Sequence, residues 1–162
     1  MMINMKKILI LITIACLIVG CGSKQPPRLA TYQKQEIECL GVEGDGSQTI
    51  RVTGTGRSRG DAIEQAMKDA VNAVIFKGIR GGLQGCDARP LVNELNARDK
   101  YADYFDPFFM DRGAYRDYVS MMDRKPGSND IQANRSFMNV RITVRVYRSE
   151  LRARLREDGI IK

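Results

Sequence analysis

Met138-Asn139-Val140-Arg141-Ile142-Thr143-Val144-Arg145-Val146-Tyr147 alternates apolar and polar side chains without a break. Successive side chains of a strand point to opposite faces, so Met138, Val140, Ile142, Val144 and Val146 share one face. Asn139, Arg141, Thr143, Arg145 and Tyr147 share the other. A strand greasy on one side and wet on the other belongs to a sheet covered by helices on one face only. Upstream, Tyr118-Val119-Ser120-Met121-Met122 is expected to pair with it across the polar loop Lys125-Pro126-Gly127-Ser128-Asn129-Asp130. Downstream, Ser149 is expected to cap a last helix with Leu151 and Leu155 one turn apart and Gly159 at its end.

The N-terminal half supplies the rest of the sheet. Glu36 to Glu43 reads as a short strand, Gly44-Asp45-Gly46-Ser47 as a turn, and Thr49 to Thr55 as the return strand. Gly54 and Gly56 carry no side chain, which lets a following helix pack close. That helix starts at Ser58, with Asp61 three residues on as a near capping box, and stops at Lys77-Gly78. Ile63, Met67, Ala70, Val71, Val74 and Ile75 recur at three- and four-residue steps, with Ala62, Ala66, Ala70 and Ala73 as a narrow flank. Glu64, Lys68, Asp69 and Asn72 are expected to face outward. The order predicts an α+β fold: a small antiparallel sheet built from a β-hairpin, a long helix, a later hairpin and a C-terminal helix. Residues 36–162 form one domain, with an insertion over about 79–117.

Within that insertion, Gly81-Gly82-Leu83-Gln84-Gly85-Cys86-Asp87 is expected to be loop, and no lysine with serine or threonine follows in phosphate-loop spacing. Pro90 suits the first turn of a second helix in which Leu91, Leu95, Arg98, Ala102 and Phe105 share a face, ending at Asp106-Pro107. Tyr101, Tyr104, Phe105, Phe108, Phe109, Tyr115 and Tyr118 crowd this region, interleaved with Asp103, Asp106, Asp111 and Asp117. The aromatics read as a satellite cluster on the core or a sticky face for a protein or glycan.

The first residues have a different character. Lys6-Lys7 precedes the apolar run Ile8 to Val19, too short to span a bilayer comfortably, and Ile18-Val19-Gly20-Cys21 resembles a bacterial lipobox. Residues 1–20 are thus expected to be a lipoprotein signal peptide, Cys21 the lipidated (diacylated) first residue, and 21–35 a tether. A plain secretory signal or an uncleaved anchor is the alternative. Gly22, in place of an aspartate, favours the outer membrane, and the absence of acids from Gly22 to Arg28 favours its periplasmic face.

Composition narrows the chemistry. The 162 residues contain no histidine and no tryptophan. A histidine triad, a histidine-bearing zinc site and a histidine phosphorelay are excluded, and neither metal nor cofactor is expected. Four cysteines are present. With Cys16 in the leader and Cys21 lipidated, Cys39 and Cys86 remain as a candidate disulfide closing a loop of about 47 residues, worth roughly 3 to 4 kcal/mol in the chain-entropy account. Two separate thiols are the alternative. The formal net charge is +7, two of those charges being Lys6 and Lys7. Arginines crowd the end of the chain, making Arg141, Arg145, Arg152 and Arg156 a candidate surface for an anionic glycan or lipid; solvated outer faces, with the stems covering apolar surface, are the favoured explanation. Nucleic acid is not an expected partner of an exported chain.

Strand Ile50 to Thr55, the Gly54-x-Gly56 step, the alanine-rich helix Asp61 to Phe76, the late strand Val140 to Val146, then Ser149-Glu150-Leu151 and Leu155 to Gly159 resemble, in this order, LPP-like outer-membrane lipoproteins. They are similar also to the N-terminal domain of flagellar assembly protein T. The likeness covers about 36–79 and 118–159. It implies a sheet crossed by a long helix and a structural or assembly role without catalytic residues. The expectation is therefore a membrane-anchored module with an envelope protein partner and no enzymatic activity. A carboxylate-dependent hydrolase using Asp103, Asp106 or Asp111 is the remaining alternative.

Overall fold

The computed structural model describes residues 37–83, 85–122 and 126–162, all within a single compact unit. The lipobox, Cys21 and the tether lie outside the described residues. The fold is α+β, with a six-stranded sheet and four α-helices among the described residues.

Strand β1 (Glu38–Val42) pairs antiparallel with β2 (Gln48–Gly56), and β2 pairs in unbroken antiparallel register with β6 (Met138–Val146), Gln48 opposite Val146 and Gly56 opposite Met138. Ile50, Val52, Val140, Ile142, Val144 and Val146 are buried on one face of this pair, as the alternation predicts. Helix α1 (Arg59–Asn72) lies across β2 and β6 on that face. Its start is a full capping box: the Asp61 N–H donates to Ser58 Oγ at 3.1 Å and the Ser58 N–H to Asp61 Oδ2 at 3.1 Å. Ala62, Ala66, Ala70 and Val71 are buried, so the alanine flank is the side pressed on the sheet, while Ile63 and Met67 are only partly covered. The approach is as close as Gly54 allows: a Cβ there would stand 2.1 Å from the Ala62 carbonyl oxygen.

The helix continues as a π turn over Ala73–Lys77, closed by the Gly78 N–H on the Ala73 oxygen at 2.8 Å. The Val74 and Ile75 carbonyls accept from the N–H groups of Leu91 (3.0 Å) and Val92 (2.9 Å). This corrects the second predicted helix. Residues 90–96 are not helical, and the Leu91 and Val92 N–H groups tie this segment to the end of the preceding helix. Helix forms only at α2 (Ala97–Lys100) and α3 (Ala102–Phe108), which runs one residue past Pro107, and Leu95 is left 87% exposed.

Three further differences concern the sheet and the last helix. Gly81–Gly82, expected as loop, forms a two-residue strand β3 parallel to β1, Gly82 opposite Cys39. Only glycine fits there, because a Cβ on Gly82 would lie 2.4 Å from the Cys39 carbonyl oxygen. Second, β6 has two short partners on its other edge: β4 (Val119–Met121) as expected, and β5 (Ile131–Ala133), which is its immediate hairpin neighbour. Third, α4 (Arg148–Glu157) begins at Tyr147 without a side-chain cap. Ser149 donates instead to the Asp45 carbonyl at 3.2 Å, tying the helix to the β1–β2 turn. Leu151 and Leu155 are fully buried, and Gly159 takes a left-handed φ of 71°. Among the described residues no helix is long and apolar enough to cross a membrane.

Candidate functional site

The polar side of α1 does not meet water as expected; the inserted segment lies on it. Glu64, Lys68 and Asn72 recur at four-residue steps and share one stripe. Glu64 receives the Tyr115 hydroxyl, Arg116 Nη2 at 2.5 Å and the Arg112 N–H at 3.3 Å. Lys68 Nζ is 2.5 Å from Asp111 Oδ1 and 5.8 Å from the Tyr115 ring centroid. Asn72 Oδ1 accepts from Arg98 Nη1 at 3.1 Å, and that guanidinium covers the rings of Phe109 (5.0 Å) and Phe76 (6.0 Å). Burial opposes ionisation of Glu64, but the bonds from Tyr115, Arg112 and Arg116 outweigh it and hold the carboxyl below its ordinary range. Burial, then the Glu64 carboxylate, push the Tyr115 hydroxyl upward.

The aromatics form one cluster joined to the core, with Phe105 and Tyr115 fully buried. Phe105 meets Phe76 edge-on at 4.8 Å and Phe108 meets Phe109 edge-on at 5.0 Å. Tyr104, Phe108 and Tyr118 stack in sequence, at 5.9 Å and 6.0 Å between centroids and 17° and 26° between planes. These three rings line a cleft of about 420 Å³ with Asp103, Asp117 and Arg154. Asp158 Oδ2 accepts from both the Tyr104 hydroxyl (2.6 Å) and Arg154 Nε (2.7 Å). Burial and the Asp158 carboxylate push the Tyr104 hydroxyl up to about 12. Burial raises Tyr118 too, with Asp117, Asp158 and Glu157 adding to it against Arg154.

Of the residues singled out from sequence, Cys39 and Cys86 are joined, Sγ to Sγ at 2.05 Å, linking β1 to the loop after β3. The four arginines are not gathered into one patch. Arg141 and Arg145 stand on the polar side of the sheet, Arg145 Nη2 3.3 Å from Glu43 and Arg141 exposed without a partner among the described residues. Arg51 shares that side, paired with Glu38 at 3.2 Å, beside Thr49, Thr53 and Thr143. Arg152 and Arg156 lie on α4, Arg152 4.0 Å from Asp87 and Arg156 exposed. Asp103, Asp106 and Asp111 are exposed, and only Asp103 reaches the cleft. The Lys68 ammonium holds Asp111 below the usual carboxylate range, opposite to what a general acid needs. Among the described residues no three histidine, cysteine, aspartate or glutamate side chains could hold a metal ion.

Arg148 was passed over in the sequence. It is only 8% exposed; its Nη2 donates to the Arg89 carbonyl at 2.9 Å and pairs with Asp87 at 2.9 Å. The signal was parity: Arg148 continues the inward-facing series Val140 to Val146 by one more step of two. The fold and these surfaces define a small α+β domain with two polar faces and an aromatic, acidic cleft. No family model, curated protein or solved structure matches the chain.

Proposed function

We propose that this chain is a lipid-anchored envelope lipoprotein, a non-enzymatic binding or assembly module at the periplasmic face of the outer membrane. The observation that carries the reading is Ile18-Val19-Gly20-Cys21 closing a short apolar run behind Lys6-Lys7. The Cys39–Cys86 bond supports it, since disulfides persist in oxidising compartments. The likeness to LPP-like lipoproteins and to the N-terminal domain of flagellar assembly protein T belongs to the same proposal, as does the envelope protein partner. The test is Cys21→Ser followed by cell fractionation, with intact mass of the wild-type product. The wild-type chain sediments with membranes and carries acyl mass on Cys21; the variant extracts into aqueous buffer. A variant that still resists extraction, or a wild-type product with its leader intact and no acyl mass, refutes the anchor.

A second reading is favoured by the sheet's polar side, where Arg141 has no partner among the described residues and Arg51, opposite Thr143, and Arg145 follow it in one direction at successive steps of two strand positions. We propose this side as the contact for an anionic glycan or lipid head group. Retention on anionic cell-wall polymer then weakens steeply with salt and falls further in Arg141→Gln. Retention indifferent to salt excludes it.

A further inference from the structure

We propose that the cleft between α3, the 3₁₀ turn Ala114–Tyr118 and α4 receives a lysine or arginine side chain from a basic segment of a partner protein. The inference goes beyond the anchor and the arginine face and stands without either. Elsewhere in the aromatic cluster the chain covers its own rings with cations: Lys68 over Tyr115, Lys100 over Tyr101, Arg98 over Phe76 and Phe109. Tyr104, Phe108 and Tyr118 have none over their faces among the described residues, although they are stacked side by side at the surface of a cleft.

The carboxylates repeat the pattern. Glu64, Glu94 and Asp111 hold Arg116, Lys100 and Lys68. Asp103 and Asp117, at the rim of the cleft, have neither ion pair nor hydrogen bond among the described residues. Arg154, which lines the cleft, is already engaged by Asp158. The Tyr118 hydroxyl likewise has no hydrogen-bond partner there, and it accepts as well as donates. An incoming ammonium or guanidinium thus finds two carboxylates and a hydroxyl unpaired among the described residues, while its methylene stem lies along the accessible parts of Tyr104 and Tyr118, with Phe108 buried in the stack between them. An anion meets the same carboxylates as repulsion. The volume, about 420 Å³, accommodates a long side chain with its backbone outside.

The test titrates the full-length protein in detergent micelles with an acetylated, amidated tri-lysine peptide, read by calorimetry and by amide NMR shifts. Tri-norleucine and tri-glutamate are the comparators. Shifts concentrate at Asp103, Tyr104, Asp117 and Tyr118, and tri-lysine binds at least fivefold more tightly than either comparator. In Asp103→Asn/Asp117→Asn the Kd rises at least fourfold, two exposed carboxylates each contributing about two- to fivefold. Both residues are exposed and have no ion pair or hydrogen bond among the described residues, so the variant keeps its fold, which a thermal melt confirms. Glu94→Gln, which removes an acid from another surface, changes the Kd less than twofold. Cys21→Ser binds the peptide as the wild type does, which separates this site from the anchor. The proposal is overturned if the double variant binds as tightly as the wild type, if Glu94→Gln weakens binding equally, or if tri-norleucine binds as well as tri-lysine.

Discussion

Gly54→Ala is expected to be among the most damaging single-methyl additions in this chain. The new Cβ would stand 2.1 Å from the Ala62 oxygen, 2.4 Å from the Ala66 nitrogen and 2.8 Å from the Ala66 Cβ, against an ordinary contact of 3.4 Å or more. Two of the three obstacles are helix backbone, so no rotamer change relieves them. Helix α1 must withdraw from β2 by about 1 Å, and a gap of that order forfeits a quarter to a half of each dispersion contact across the interface. Overpacking of this kind costs about 1–3 kcal/mol, here at the upper end, less the ~0.4–1 kcal/mol that alanine gains over glycine through the unfolded chain. The net loss is about 2–2.6 kcal/mol. With a urea slope of roughly 1.5 kcal/mol per molar, the midpoint falls by about 1.3–1.7 M. Gly44→Ala is the control: nothing lies within 4 Å of its Cβ, and the expected change is within about 0.5 kcal/mol. Adding Ala66→Gly to Gly54→Ala removes only the side-chain contact, so it does not restore stability. A Gly54→Ala protein within about 0.5 kcal/mol of wild type, or full rescue by Ala66→Gly, refutes the reasoning.

Glu64→Gln removes the charge that Tyr115, Arg112 and Arg116 converge on, and costs about 1–3 kcal/mol at pH 7. Because the folded Glu64 carboxyl titrates below its ordinary value of 4.5, its stabilisation is present above that pH and is lost as pH falls through the lower folded value; wild type and variant converge there in urea melts. Arg148→Ala leaves the Arg89 carbonyl without its partner and opens a buried gap, costing about 2–3 kcal/mol, whereas Arg152→Ala, more exposed and 4.0 Å from Asp87, changes stability by less than about 0.5 kcal/mol. Equal effects in denaturant titration would contradict the assignment of Arg148 as the tie between α4 and the loop at Asp87. Reducing Cys39–Cys86, 47 residues apart, costs about 4 kcal/mol on the loop-closure account and lowers Tm by on the order of 10–20 °C. A drop of under about 3 °C on adding reductant would count against it.

Strand β6, the hairpin β1–β2 and helix α1 were legible because each states its period over seven or more residues and its ends carry turn or cap residues. The inserted segment was not, and the reasons are local. Leu91 and Leu95 have helical spacing, but the carbonyls that the π turn frees at Val74 and Ile75 recruit the N–H groups of Leu91 and Val92, a long-range demand that spacing cannot express. The β5–β6 hairpin hid because its turn, Asn134 to Phe137, has neither glycine nor proline; the Asn134 side chain closes it, accepting from the N–H groups of Ser136 and Phe137 at 2.9 Å each. Glu64, Lys68 and Asn72 were read correctly as turned from the sheet. What covers them comes from elsewhere in the chain, and four-residue spacing of polar groups looks the same whether it faces water or a second layer. The cleft was legible only as a crowding of tyrosines and aspartates, since the stacking of Tyr104, Phe108 and Tyr118 depends on elements brought together by tertiary packing.

The disulfide sits at the second residue of β1, and the described chain enters the sheet one residue earlier. A pull on the polypeptide ahead of Glu38 therefore reaches a covalent cross-link almost at once. Tension is then divided at Cys39 between the rest of β1 and the loop at Cys86. The second path is a bond that gives way to reductant rather than to force of the size that unzips hairpins.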